Sequence, residues 1–322
     1  MLRDIVRKET QIIAARDVIA DVNPDILVLS DFDYDADGRA LTAFAATLAK
    51  AGADYPHQFA RRPNTGWATG LDMDGDGRLG TPRDAQGFGY FAGQGGLAVL
   101  SRFPFENKGL QDFSAMLWRD FPAAQLPEHP NGTPFPSSVA QAAQRLSSTA
   151  HWSLPVKIDT RKLTLLISQA TPPVFDGPED RNGKRNHDEN ALWLTHINGH
   201  LGTPPAAPFL LAIGSNLDPA DGDGQRQIMQ ALLNHPKLQD PRPTSQGGVA
   251  AANPAHQGDP ALDTADWREP APGNMRVDFL LPSSDITVTD AGVFWPAPGQ
   301  PGHALALAAS RHRLVWLDLR LP

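Results

Sequence analysis

A chain of 322 residues, 41% hydrophobic and 20% charged, carries enough apolar material for a full core and is not a disordered segment. The formal net charge of −8 argues against a general nucleic-acid binder, although a local basic groove around Arg181, Lys184 and Arg185 stays open. With Cys 0 there is neither a disulfide framework nor thiol chemistry, and no apolar run is long enough to suggest a membrane span.

From the N-terminus, Ile5/Val6, Ile12/Ile13 and Val18/Ile19 form the stripe of one amphipathic helix over Leu2–Val22, stopped by Asn23-Pro24. No basic, apolar and cleavage-site succession is present, so the segment is not a signal peptide. The short apolar runs Asp25–Ser30 and Phe209–Ile213 predict strands buried on both faces, and Leu163–Ser168 reads as a buried strand. Leu41–Lys50 and Gln225–Asn234 are read as helices, Ile286–Val293 and Leu314–Leu319 as strands closing the sheet. Asp218–Gly224 is taken as a helix N-terminus, and the carboxylates of Asp33–Gly38 as caps for the helix that follows. Pro122–Pro136, Gly202–Pro208 and Pro296–Gly302 are surface loops. The tryptophans Trp118, Trp152, Trp193, Trp295 and Trp316 belong to the core. This mixed order predicts α/β layers.

Two polar segments carry chemistry. Asp72-Met-Asp-Gly-Asp-Gly77 sets carboxylates at alternate positions before a glycine, the way a loop wraps oxygens around calcium. Asp72, Asp74 and Asp76 are the ligands expected, with Asp84 near enough to contribute. The twelfth position is Arg83 instead of Glu, which rejects an EF-hand, and a plain polar turn is the alternative. Arg181, Asn182, Arg185 and Asn186 follow Thr171-Pro-Pro, and forked guanidinium groups suit phosphate oxygens. Alternatively Glu179, Asp180, Asp188 and Glu189 pair with them and hold the loop. Ser147 and Ser215 lack a nucleophile-elbow context, so serine hydrolysis is not supported.

Pro24–Asp35, Gly96–Ser101, Thr171–Glu189, Met275–Ser283 and Ser310–Trp316 together resemble the endonuclease/exonuclease/phosphatase superfamily of DNase-like phosphoesterases. The resemblance, running from about Leu2 to Leu321, is narrower to its secreted bacterial branch. It implies a four-layer α/β sandwich, two packed mixed β-sheets flanked by helices, as one domain over 1–322 with the site at one rim. The family's first strand, which bears a phosphate-touching Asn, is expected to be missing, either because the start is truncated or because the strand was lost. The family hydrolyses phosphate esters by in-line attack of water: magnesium or manganese neutralises charge, an Asp activates the water, and a His backed by an Asp steadies the phosphoryl group. His312 matches that His, Asp278 its carboxylate, and Asn216 the Asn of the Gly-Asp-x-Asn turn.

The departures are equally specific. Asp31 stands for the metal-binding Glu, one methylene shorter. Gly214 or Ser215 stands for the water-activating Asp, Gln169 for the His before Thr-Pro-Pro, and Arg311 for the Asp before the final His. A guanidinium within about 4 Å of a divalent ion repels it by several kcal/mol even at an effective dielectric near 20. Arg311 is therefore expected to fill the magnesium site and pair with Asp31. Two readings follow: a phosphate-ester binder whose ancestral hydrolysis is weakened or lost, and an active metal-dependent phosphodiesterase, nuclease or phosphatase with a rearranged site. A monomer is expected. The compartment is cytoplasmic if Met1 is the true start, and periplasmic or extracellular if the secreted habit of the branch holds.

Overall fold

The structure is a computed structural model that describes all 322 residues. The N-terminal stripe makes two helices, α1 (Leu2–Arg7) and α2 (Thr10–Val22), because Lys8 turns left-handed at φ 55°. Ile5 is buried while Val6 is 69% exposed, so the apolar stripe is not continuous across the break. Next come β1 (Ile26–Phe32), α3 (Arg39–Lys50), β2 (His57–Ala60), β3 (Gly96–Ser101) and β4 (Gln111–Asp112). They are followed by α4 (Ser138–Ala143), β5 (His151–Ile158), β6 (Arg161–Gln169), α5 (Arg181–Ile197) and β7 (Phe209–Gly214). The chain ends with α6 (Gln227–Leu233), α7 (Gln246–Ala250), β8 (Asp278–Pro282), β9 (Thr287–Val293), α8 (His303–Ala309) and β10 (Val315–Arg320). No helix is long and apolar enough to cross a membrane.

One sheet has the order β1-β3-β2 and is antiparallel; the other is mixed, β4-β5-β6-β7-β8, with β6 and β7 parallel. Alternation of side chains across each strand explains the layers. In β3, Leu97 and Val99 meet Trp152, Leu154, Leu165 and Ile167 between the sheets. Ala98 and Leu100 face the other way, onto Ile5, Ile19, Phe44 and Leu48 of α1, α2 and α3. Leu166, Leu211 and Phe279 project from the outer face of the five-stranded sheet onto Leu192, Trp193, Met229 and Leu232 of α5 and α6. The result is helix, sheet, sheet, helix. Each central strand is buried on both faces, which is why its sequence runs apolar without alternation.

Three local expectations are corrected. The strands β9 and β10 pair only with each other and do not close a sheet, although Ile286 and Leu319 reach the inter-sheet core. The segment after Asp218 does not open a helix: Asp218 accepts from the N–H groups of Ala220, Asp221 and Arg276, and α6 begins only at Gln227. Arg181–Glu189 is the start of α5 and not a loop. Asp35 accepts from the Arg39 and Ala40 N–H groups and caps α3 as the sequence suggests.

Candidate active site at the strand ends

The parallel pairing of β6 with β7 and the antiparallel pairing of β7 with β8 place Gln169, Gly214 and Asp278 side by side in one row. Their side chains share a face. A β-carbon on Gly214 would lie 3.4 Å from Gln169 Cγ and 3.6 Å from Asp278 Oδ1. Ser215 points away, fully buried, with its hydroxyl 2.9 Å from the carbonyl oxygens of Leu217 and Val277. Gly214 therefore occupies the place between Gln169 and Asp278, and no carboxylate is present there.

His312 Nδ1 donates to Asp278 Oδ2 at 2.8 Å, and its Nε2 has no protein partner. The Asp278 carboxylate is in turn held by Thr264, whose hydroxyl donates to Oδ2 at 3.0 Å while accepting from the Val277 and Asp278 N–H groups. Trp267 meets the imidazole edge-on, with ring centroids 5.2 Å apart. Asp278 raises the proton affinity of His312 against the opposing effect of burial, and Asp31 adds to the rise. The imidazolium is thus favoured. Thr264 and Trp267 carry no motif, and only the long-range pairing of their segment with residues 275 and 312 reveals them.

Asn216 adopts a left-handed φ of 49° and donates from Nδ2 to the Ala170 carbonyl at 2.6 Å, pinning its amide across the ends of β6 and β7. Gln169 Oε1 is buried and unpartnered. Asp31, one residue before the end of β1, takes φ 56° with its carboxylate against Gly95, whose own φ of 56° favours glycine. Desolvation, then the neighbouring Asp33, lifts the Asp31 carboxyl above its usual range, and His312 opposes the rise.

Arg311 is exposed and forms no ion pair with Asp31, which corrects the expected pairing. Residue 312 bridges Ala265 in extended backbone, so turning His312 toward Asp278 turns Arg311 outward. Arg185 and Asn186 are also corrected as ligand contacts. Arg185 is 7% exposed and donates to the carbonyls of Leu146, Gln86, Arg145 and Ser147; Asn186 is fully buried and donates to those of Thr171 and Ser215. Both sit on the inner face of α5 with Glu189, which accepts from Ser148 N, Ser148 Oγ and Thr171 N. They hold the strand-end loops in place.

Away from the rim, Asp72, Asp74 and Asp84 bring one carboxylate oxygen each within 4.8 Å of one another. Asp76 is not among them: it is exposed and caps the Arg78 N–H. Like-charge neighbours Asp76 and Asp84 add to burial in raising Asp74, and Arg83 approaches it at 3.8 Å. At the rim itself Asp31 is the lone carboxylate not engaged by protein donors, since Asp33 accepts from Gly95 N and faces the N-terminal amine. A magnesium or manganese ion at the rim would be held by Asp31, with the unpartnered Gln169 Oε1 as a further oxygen donor, next to a cationic His312.

No curated protein matches the chain. Among solved structures it is similar to an endonuclease/exonuclease/phosphatase from Beutenbergia cavernae, at 18% identity and TM-score 0.56, covering 97% of this chain and 66% of that one. The chain thus spans just under two thirds of that protein's length. It is also similar to a family protein from Leptotrichia buccalis, at 13% identity and TM-score 0.53, covering 98% and 94%. The catalytic domain of human Nocturnin with bound sulfate gives 12% identity and TM-score 0.54, covering 98% and 87%. At these identities the structural likenesses speak for the fold. The sequence matches the Endonuclease/Exonuclease/phosphatase family over residues 2–312, nearly the whole chain, and the protein belongs to that family.

Proposed function

We propose that the protein binds a phosphate ester at the rim formed by Gln169, Asn216 and His312, and that metal-dependent hydrolysis is weakened or lost. The observation that carries this reading is Gly214: where a water-activating carboxylate belongs between Gln169 and Asp278, there is only hydrogen. The remaining groups suit binding. The imidazolium of His312 offers Nε2–H to a phosphoryl oxygen, its position fixed by Asp278 and Thr264. Asn216 is pinned through Nδ2, and the side chain of Gln169 has made no bond to the protein. Loss of one central acid/base group costs about 10²–10⁴ in rate, and Asp31 as the lone carboxylate for a metal lowers the rate further.

Hydrolysis of generic phosphodiesters and phosphomonoesters should be undetectable with magnesium or manganese, while glycerol phosphate binds and His312→Ala weakens that binding at least tenfold. A β-carbon fits at Gly214, so Gly214→Asp combined with Asp31→Glu, Gln169→His and Arg311→Asp should gain metal binding and turnover. Robust magnesium-dependent turnover by the unmodified protein would establish the alternative, an active phosphoesterase with a rearranged site.

The loop from Asp72 to Asp84 is proposed to hold calcium through Asp72, Asp74 and Asp84, supported by the convergence of the three carboxylates. Asp72 and Asp84 each also accept two backbone N–H groups, which orients them before any ion arrives. The role is structural stiffening.

A further inference from the structure

Outside the rim, two arginines stack on one indole. The Arg62 guanidinium carbon lies 3.9 Å from the Trp67 ring centroid and that of Arg145 lies 4.3 Å from it. Neither has a carboxylate within ion-pairing distance; the nearby Asp112 is taken by Arg61 at 3.0 Å. Two cations on one ring repel each other: burial, then Arg62, pushes the Arg145 guanidinium below its usual range, and Asp112 opposes that only in part. The arrangement is nevertheless held from behind. Arg145 Nη1 donates to Asn64 Oδ1 at 2.8 Å, and the buried Asn64 is anchored through Nδ2 to the carbonyls of Ser114 and Ser147.

We propose that Arg62, Arg145 and Trp67 form an anion subsite that takes a phosphate-class group, free or carried on a larger molecule. Stacking on an indole holds a guanidinium plane flat and leaves its N–H edge for bidentate contact with tetrahedral oxyanions. An anion beside the two forks, at the edge of the ring, would offset the repulsion between them. The position suits an extended substrate. Arg62 lies two residues past the end of β2, and Pro63 packs on Gly96, the neighbour of the Gly95 that touches Asp31. The subsite therefore lies at the same edge of the three-stranded sheet as Asp31. It rests on its own residues and not on any chemistry at His312.

The test is titration at low ionic strength with inorganic phosphate and, separately, glycerol phosphate, following tryptophan fluorescence and Tm. Phosphate reports a free anion and glycerol phosphate a carried phosphoryl group. Because Trp267 lies against His312, the titration is also run in His312→Asn, which disables the rim. Saturable binding of either anion is expected to persist there, with at least tenfold weaker binding when Arg62→Gln, an exposed side chain safe for folding, is added, and Trp67→Phe should remove the remaining fluorescence change. Binding lost on His312→Asn reports the rim and binding lost on adding Arg62→Gln reports the subsite, so the two proposals fail separately. The subsite is overturned if adding Arg62→Gln to His312→Asn leaves both anions bound as tightly, or if His312→Asn alone abolishes all saturable binding.

Discussion

Two polar regions are packed against the ends of β6 and β7, and they differ in what their groups have left to give. On the inner face of α5, Arg185, Asn186, Asp188 and Glu189 are buried, and each is bonded to protein partners: Asp188 accepts from the Trp118 indole and Gln125 N, and Glu189 accepts three times. At the rim, Gln169 Oε1 and His312 Nε2 have no protein partner. Burial is costly for any polar group without a partner. The first region satisfies its groups and becomes scaffold; the second leaves them open and is where a ligand would gain most. An arginine next to a family motif is therefore weak evidence of a binding role until its hydrogen bonds are accounted for.

The largest effect expected from breaking this contrast is in the scaffold. Glu189→Gln leaves the Arg185 guanidinium, itself lowered by burial to about 10, without its compensating charge. The two groups act on each other through space without an ion pair, and the substitution also weakens the bonds Glu189 accepts from Ser148 N, Ser148 Oγ and Thr171 N, at about 1–3 kcal/mol for each buried donor left short of a charged acceptor. Urea denaturation should show a loss of that size, with rim geometry lost as well. A change below about 1 kcal/mol would mean that the backbone carbonyls alone satisfy Arg185.

A smaller effect is expected at the Asp72–Asp84 loop. Calcium at one hundred times its Kd stabilises the fold by about 2.7 kcal/mol if it binds only the native state. Melts in calcium and in chelator should separate accordingly, the gap closing in Asp84→Asn and persisting in Asp76→Asn. Superimposable melts would leave a polar turn. Dependence on Asp76 instead of Asp84 would contradict the convergence in the structure.

The smallest effect is at the half-open rim. His312 has a raised folded-state pKa, so its contribution to stability is fully present below the ordinary imidazole value of about 6.5 and fades as pH rises through the elevated value. Its side chain is 37% exposed, so solvent screening keeps this contribution small. Asp278→Asn should lower the His312 midpoint, followed by NMR of the ring protons, and Thr264→Val should lower it partway by loosening the carboxylate. A midpoint unmoved in Asp278→Asn would remove the basis for an imidazolium at neutral pH.

Much of the fold was legible in the residues because it rests on local, repetitive signals. Unbroken apolar runs such as Leu163–Ser168 belong to strands covered on both faces, and the order of strands and helices is enough to place the layers. Motif residues such as Asp278, Asn216 and His312 could be named from their neighbours in sequence. What misled were segments whose polarity hides periodicity. The inner face of α5 carries Arg185, Asn186, Glu189 and Asn190 where apolar residues would announce a helix, and only later do Leu192, Trp193, His196 and Ile197 do so.

The sequence by itself determined the double-sided strands, the cap at Asp35, the family pattern and the absence of any acidic group in Gly214-Ser215. Tertiary structure alone decided which of those two residues faces the rim, because that depends on the register of β7 against β6 and β8. It also decided that Arg311 turns away while His312 turns in, that Asp84 replaces Asp76 in the acidic cluster, and that Thr264 steadies Asp278 from fourteen residues upstream. Each of these depends on which face a side chain takes when distant segments pair. Composition and spacing constrain that only through the burial of everything else.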